Sequence, residues 1–114
     1  RGHDWYVNEL FISDDSGLTW RRSGLNGIPD MENRRCETVA PHPAKKDEVW
    51  LTVSGDIKPN EGGPWRSLDG GKTWSWQGHG LPQDGEFFHK NYWVAGPELS
   101  VSPDGSMVAT SNNR

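Results

Sequence analysis

Residues 67–74 read SLDGGKTW, and residues 13–20 read SDDSGLTW, so nearly the same phrase occurs twice in the chain. The two copies agree at Ser, Asp, Gly, Thr and Trp. In each copy the aspartate carboxylate can accept hydrogen bonds from backbone N–H groups one or two positions on, which closes an Asx-type turn. The glycine suits a positive φ, and the Thr-Trp pair favours a strand that leaves the turn. Each phrase therefore predicts a strand, a tight turn and a second strand, with the indole packed near the turn.

The similarity between the two copies extends beyond the turns. The copies start at Ser13 and Ser67, and this spacing is close to the roughly 40–50 residues of one propeller blade. GIP at residues 27–29 corresponds to GLP at residues 80–82, and each follows the second predicted strand of its hairpin. The sequence therefore predicts a repeat protein.

Composition favours an all-β, turn-rich domain. Only 32% of the 114 residues are hydrophobic, whereas the chain contains 14 glycines, 8 prolines and 7 tryptophans. Large aromatic side chains can hold such a core together, and no helical periodicity survives the Gly and Pro. The net charge of −4 gives no support to a nucleic-acid partner. No apolar run approaches the ~20 residues of a membrane span, so we predict no membrane segment. Cys36 stands alone, which excludes an internal disulfide and favours a buried free thiol.

The pattern of strands predicts a fragment of a β-propeller rather than a closed ring. ETVAPHP at residues 37–43 and LSVSPDG at residues 99–105 each predict a strand that ends at a proline-marked turn. Two blades cannot close a ring, so we expect the remaining blades of the same propeller as partners and interpret the chain as a piece of a longer protein. The predicted units within the partial propeller 1–114 are the outer hairpin of blade one at 5–23, the four-stranded blade two at 36–77, and the inner strands of blade three at 98–111.

The repeated pattern S-x-D-x-G-x-T-W resembles the Asp-box, or BNR repeat, of sialidases, xyloglucanase-type glycoside hydrolases, sortilin-like receptors and photosystem assembly factors. The resemblance implies a four-stranded blade with the Asp-box at the turn between its third and fourth strands. It also implies an extracellular or periplasmic location, and no cofactor is expected. The carboxylates of the boxes are predicted to be structural, because backbone donors consume them. The ten box residues are Ser13, Asp15, Gly17, Thr19, Trp20, Ser67, Asp69, Gly71, Thr73 and Trp74.

Asp56 is the candidate catalytic residue. Gly55-Asp56-Ile57 follows a predicted strand directly, and the resemblance to xyloglucanase-type hydrolases implies that an aspartate in this tripeptide is one of two catalytic carboxylates. Glycoside hydrolysis needs such a pair across a cleft. The chain departs from the family at Lys58, and the second aspartate finds no match. A loop-capping role for Asp56 is the alternative interpretation.

Three further side chains are candidates for binding substrate. Trp93 and Tyr92 lie in the long loop 78–97, where aromatic rings can stack on sugar faces, although packing between blades is the alternative. Arg35 can bind a substrate carboxylate, as the arginine cluster of sialidases does, although the sialidase arginine motif is absent and a solvated loop or a salt bridge is the alternative. The four histidines have no metal-ligand spacing, so we predict no metal site.

These features predict part of a secreted, carbohydrate-active β-propeller, and specifically a glycoside hydrolase that acts on a polysaccharide or oligosaccharide. The fragment alone is expected to be inactive, because one carboxylate cannot perform a two-carboxylate reaction. The alternative is a non-catalytic propeller that serves as a binding scaffold, such as a sortilin-like receptor or an assembly factor. A propeller scaffold does not itself choose between the two.

Overall fold

A computed structural model of the chain describes residues 9–29, 31, 34–55, 61–81 and 98–111. Within these ranges the chain forms β-strands joined by turns, and they contain no α-helix. All strand pairs are antiparallel. The prediction of an all-β fold is therefore confirmed.

The strands form one four-stranded sheet and two hairpins. In the four-stranded sheet each strand pairs with the next one along the chain, so the sheet is a meander. Its strands are β3 (Arg34–Pro41), β4 (Val49–Gly55), β5 (Gly63–Ser67) and β6 (Ser75–Trp76). The hairpins are formed by β1 (Leu10–Ile12) with β2 (Arg21–Ser23), and by β7 (Glu98–Val101) with β8 (Val108–Ser111).

Strand β4 is the central element of the structure. Its Leu51, Thr52 and Val53 side chains are all fully buried, so both faces of the strand are covered. The buried hydroxyl of Thr52 accepts the Thr38 N–H at 3.0 Å, where the β3–β4 register shifts between Cys36 and Thr38. A shift of this kind leaves a backbone donor out of the regular ladder, and the Thr52 hydroxyl satisfies it.

The core joins the four-stranded sheet to the segment that follows β2. The buried side chains of Leu25 and Ile28 pack in one cluster with Leu51, Trp65 and Trp74. A hairpin by itself buries too little apolar surface to be stable, so the β1–β2 unit depends on this shared core. Burial of the large aromatic rings supplies much of the driving force that a chain with few aliphatic residues needs.

Buried and half-buried indoles in the sheet have hydrogen-bond partners for their N–H groups. Trp65 Nε1 donates to the carbonyl of Glu61 at 2.9 Å, and Trp76 Nε1 donates to the carbonyl of Gly62 at 2.8 Å. Trp50 Nε1 donates to a carboxylate oxygen of the buried Glu48 at 2.8 Å. These bonds remove the cost of burying a polar atom inside an aromatic core.

The assignment of these sheets to propeller blades goes beyond what the strand topology alone shows. The three sheets fall within the ranges predicted for the three blades, with β3 starting at Arg34 instead of residue 36. The blade boundaries themselves stay predictions. In the described part of the chain no helix has the length and apolar character to cross a membrane.

We predict that Leu51→Ala lowers the free energy of unfolding by about 2–5 kcal/mol, because it empties a fully packed site in the central strand. Leu18→Ala is the matched control, since Leu18 is 83% exposed whereas Leu51 is 1% exposed. The control should change the free energy by no more than about 0.5 kcal/mol. Urea denaturation followed by tryptophan fluorescence measures both changes, and equal effects would contradict the assignment of β4 to the core.

Candidate functional site

The candidate site is built on the two repeated turns, which we call the first box (residues 13–20) and the second box (residues 67–74). In the first box, the Thr19 N–H donates to Asp15 Oδ1 at 2.9 Å and the Thr19 hydroxyl donates to Asp15 Oδ2 at 2.5 Å. The Ser13 hydroxyl donates to Asp15 Oδ1 at 2.8 Å and accepts the Gly17 N–H at 2.7 Å. One carboxylate and one hydroxyl therefore hold the whole turn.

The second box repeats this network bond for bond. The Thr73 N–H and hydroxyl donate to the two oxygens of Asp69 at 2.9 and 2.6 Å. The Ser67 hydroxyl donates to Asp69 Oδ1 at 2.7 Å and accepts the Gly71 N–H at 2.8 Å. A further donor, the Lys72 N–H, reaches Asp69 Oδ1 at 3.0 Å. The two copies therefore share one local structure, as their shared letters predict.

Both turns pass through two successive left-handed residues. In the first box these are Ser16 and Gly17, with φ of 64° and 89°. In the second box they are Gly70 and Gly71, with φ of 73° and 90°. Glycine adopts this region of φ without steric cost, whereas the same conformation is strained for serine. The hydrogen bonds of the carboxylate offset that cost in the first box.

The hydrogen bonds hold both box carboxylates in the ionised form. The Thr19 hydroxyl, followed by the Thr19 N–H and the Ser13 hydroxyl, lowers the pKa of Asp15 from 3.8 to about 2. The hydroxyl and N–H of Thr73 hold the pKa of Asp69 well below its ordinary value. A general acid must carry a proton near the working pH. Asp15 and Asp69 therefore act as fixed acceptors and not as proton donors.

A third turn of related design joins β7 and β8. The Ser102 hydroxyl donates to Asp104 Oδ1 at 2.8 Å, and the Ser106 N–H donates to the same oxygen at 3.0 Å. The Ser106 N–H, followed by its hydroxyl, lowers the pKa of Asp104 to about 2. The sequence predicted an ordinary proline-marked turn here. The Ser-x-Asp spacing, which the boxes also have, was the signal that could have revealed it.

The second box docks on residues 23–28, which run from the last residue of β2 into the following turn and which we call the first clasp. The Trp74 N–H donates to the carbonyl of Asn26 at 2.8 Å, and the Asn26 side chain donates to the carbonyl of Lys72 at 3.1 Å. The Ser23 hydroxyl donates to the carbonyl of Gly71 at 2.5 Å. Asn26 also forms an isolated parallel bridge with Thr73. The two repeats are thus joined by backbone hydrogen bonds as well as by the core.

Two glycines allow this close approach. A Cβ atom on Gly27 would lie 2.3 Å from the carbonyl oxygen of Trp74, and Gly27 has a φ of 102°. A Cβ atom on Gly71 would lie 2.4 Å from Cδ1 of Ile12. At Gly27 the obstacle is backbone, so only glycine fits there. At Gly71 the end of the Ile12 side chain would have to move, and the φ of 90° strains any other residue. The GIP sequence predicted a turn after the hairpin, but not that this turn holds the next repeat.

An open groove borders the second box. Asp14 and Arg21, which both line it, form an ion pair at 2.9 Å between Oδ2 and Nε, and the hydrogen bond from Arg21 lowers the pKa of Asp14. Three cationic and three anionic side chains line the groove, so their charges balance and a strongly charged ligand gains little there. The lining residues are Asp14, Arg21, Lys46, Asp47, Leu68, Asp69 and Lys72.

The predicted catalytic and substrate-binding residues are not brought together in the described part of the chain. Asp56, Tyr92 and Trp93 lie outside the described residues. Arg35 lies in β3, where its backbone pairs with Ser54. The roles assigned to these four residues from the sequence stay predictions.

Metal and thiol chemistry find no support among the described side chains. Within residues 9–29, 31, 34–55, 61–81 and 98–111, no three His, Cys, Asp or Glu side chains are grouped so that they could hold a metal ion. Burial, followed by the nearby charge of Glu37, raises the pKa of the Cys36 thiol to about 11. The thiolate is the nucleophilic form of cysteine, and this raised pKa disfavours it near neutral pH.

Comparison with known proteins gives one partial similarity. The chain is 36% identical over 73 residues to a protein named peptide deformylase from Mycolicibacterium paratuberculosis (strain ATCC BAA-968 / K-10). The matched region covers 60% of this chain and 37% of that relative. No known protein family matches the chain, and no solved structure matches it.

The comparison corrects the function predicted from the sequence. The relative's name points to a function other than glycoside hydrolysis, so the prediction of a glycoside hydrolase acting on polysaccharide is wrong. The physical reason for the error lies in the motif. The carboxylates of the two boxes are consumed by hydrogen bonds within their own turns, so the repeated pattern describes a turn and not a reaction.

We predict that Asp15→Asn weakens the acid sensitivity of the fold. The pKa of Asp15 in the folded chain is lowered from 3.8 to about 2, so its stabilising effect is complete above the ordinary pKa and is lost as the pH falls through the lowered one. The thermal midpoint of the parent chain should therefore fall between about pH 4 and about pH 2. The fall should be smaller in Asp15→Asn, which cannot titrate. Equal slopes for the two chains would contradict the assigned pKa shift.

Proposed function

We propose that the chain is part of an Asp-box β-propeller and that its function is architectural: each repeat holds the next one in place. The observation that carries the proposal is the docking of the second box on the first clasp. The backbone hydrogen bond from Trp74 to Asn26 and the close approach at Gly27 fix the register of this contact, which also buries apolar side chains. A repeat protein gains its stability from such nearest-neighbour contacts.

The position of the second box supports the assignment of the four-stranded sheet to a propeller blade. The sheet is an antiparallel meander of β3, β4, β5 and β6. The second box connects β5 to β6, which are the third and fourth strands of this sheet. This is the place in a blade that the Asp-box resemblance implies. The first box connects β1 to β2 in the same manner, as the outer hairpin of a preceding blade would require.

The chemistry of the boxes supports a structural role over a catalytic one. Each aspartate accepts hydrogen bonds from the backbone and the hydroxyl of one threonine. Removal of a partner from such a network leaves donors unsatisfied and weakens the turn. A proton-transfer residue needs instead a carboxylate whose pKa lies near the working pH.

The name of the relative does not transfer to this chain. The chain spans 37% of the length of that peptide deformylase, so the proposal takes over no deformylase activity. Release of formate from an N-formylated peptide provides a direct discriminating assay. An architectural module releases no formate above the rate without protein, whereas turnover by the chain would replace this proposal with an enzymatic one.

We predict that Gly27→Ala destabilises the chain more than Gly80→Ala does. Both residues have left-handed φ angles, 102° and 91°, so each alanine pays about 1–2 kcal/mol of backbone strain. Only at Gly27 does the added Cβ meet the carbonyl of Trp74, because among the described residues nothing lies within 4 Å of a Cβ atom at Gly80. The Gly27 variant should therefore lose a further ~1–3 kcal/mol from overpacking.

Urea denaturation at low micromolar concentration measures the two free energies of unfolding. Hydrogen exchange of the Trp74 amide, which donates to Asn26, reports on the docking itself. That amide should lose protection in Gly27→Ala and keep it in Gly80→Ala. Equal losses of stability together with an unchanged Trp74 amide would refute the proposed contact between repeats.

A further inference from the structure

The contact between the two repeats contains the one asparagine–glycine step of the sequence, Asn26-Gly27. In such a step the backbone nitrogen of the glycine can attack Cγ of the asparagine side chain, because no Cβ atom stands beside that nitrogen. Asn26 is exposed to water, which the later part of this reaction consumes. The inference below rests on the contact between repeats proposed above, and it concerns a chemical modification of that contact.

The docked second box holds the side-chain amide of Asn26 away from this reaction. Nδ2 of Asn26 donates to the carbonyl of Lys72 at 3.1 Å, and the Asn26 carbonyl accepts the Trp74 N–H at 2.8 Å. Attack by the Gly27 nitrogen draws Cγ toward that nitrogen and expels Nδ2. The bond from Nδ2 to Lys72 is therefore incompatible with the reaction, and the contact has to open before the amide can be lost.

The backbone around the Gly27 nitrogen is also held in place. The Ile28 N–H donates to the carbonyl of Leu25 at 3.3 Å, which closes a four-residue turn with Asn26 and Gly27 at its centre. Gly27 has a φ of 102°, as the third residue of a type II turn requires. Leu25 and Ile28 are both buried in the shared core. Rotation of the Gly27 nitrogen toward the Asn26 side chain therefore also requires this turn to loosen.

We propose that Asn26 is a deamidation site controlled by the contact between the repeats: the amide is lost while the second box is off the first clasp, and its loss weakens redocking. The Gly27 nitrogen gives up its proton and forms a bond to Cγ of Asn26. The Cγ–Nδ2 bond breaks, and Nδ2 leaves as ammonia with that proton. Water then adds to one of the two carbonyls of the ring and leaves aspartate or isoaspartate at position 26. No oxidant or reductant takes part.

Neither product restores the original contact. The aspartate side chain has no N–H, so it places an acceptor against the Lys72 carbonyl, which is also an acceptor. Isoaspartate adds a methylene group to the main chain and moves Gly27 relative to Trp74. A Cβ atom on Gly27 would already lie 2.3 Å from the Trp74 carbonyl oxygen, so the docked backbones have no room for such a shift. The modification is therefore a one-way change that weakens the joint between repeats.

The first test measures where and when the amide is lost. The chain is incubated at mildly alkaline pH, once in buffer and once in urea, and its peptides are followed by mass spectrometry. In urea the peptide that contains Asn26 should gain the mass of the amide-to-acid change faster than any other asparagine peptide. In buffer its rate should be at least about tenfold lower, because the reaction follows the fraction of chains in which the contact is open.

The second test opens the contact without changing the asparagine–glycine step. Ser23→Ala removes the hydroxyl that donates to the Gly71 carbonyl at 2.5 Å. Ser106→Ala is the matched control, because it removes a hydroxyl that donates to Asp104 at 2.8 Å in a different turn. The rate at Asn26 in buffer should rise severalfold in Ser23→Ala and stay unchanged in Ser106→Ala. In urea all three chains should react at one rate, and far-UV circular dichroism confirms that each is folded in buffer.

The third test examines the product directly. Asn26→Asp reproduces one product, and hydrogen exchange of the Trp74 amide reports on docking. That amide should exchange about tenfold or more faster in Asn26→Asp than in the parent chain, because a buried contact has lost a hydrogen bond and gained an unpaired acceptor.

Four outcomes would overturn the inference: no preference for Asn26 in urea, equal rates in buffer and urea, the same rate in Ser23→Ala and Ser106→Ala, or full protection of the Trp74 amide in Asn26→Asp. Equal rates in buffer and urea with a protected Trp74 amide in the parent chain would refute the control by docking and leave the proposed contact between repeats standing. An unprotected Trp74 amide in the parent chain would refute that contact itself.

Discussion

One carboxylate in each box determines how the chain turns, and the rest of the structure depends on that turn. Asp15 and Asp69 each accept both the N–H and the hydroxyl of a threonine four residues on. This pairing fixes two left-handed residues between them, a backbone shape that is costly without compensating hydrogen bonds. The tryptophan that follows the threonine then lies on one side of the hairpin, where it can pack into a core.

Whether that tryptophan enters a core depends on the neighbouring repeat and not on the box. The internal hydrogen bonds of the two boxes agree within 0.1 Å at the Ser–Asp, Gly–Ser and Thr–Asp contacts. Only the second box has the first clasp against it. Burial of a large aromatic ring contributes on the order of 1.5–3 kcal/mol, so the contact between repeats is a main source of stability in this chain. A single repeat would leave its indole in water.

The local turns could be predicted from the sequence because their physics is local. The serine, aspartate, glycine and threonine of a box interact within a few residues, so the letters are enough to predict the network. The hydrogen bond from Ser23 to the carbonyl of Gly71 joins residues 48 positions apart. Neither residue type indicates which partner it will have in the folded chain. The prediction of a glycoside hydrolase was wrong for a related reason. The residues with the clearest pattern, Asp15 and Asp69, are the ones whose carboxylates are occupied by hydrogen bonds within their own turns. The candidate Asp56 lies outside the described residues, so its assignment gained no geometric support.

The residues at the contact between repeats also correspond in size. A Cβ atom on Gly70 would lie 2.9 Å from Nη2 of Arg21, so a side chain at position 70 would have to displace the end of the Arg21 side chain on the first hairpin. The left-handed φ of 73° at Gly70 adds backbone strain to any such substitution. The second box therefore carries glycine where it meets the first hairpin, whereas the first box carries Ser16 at the corresponding position.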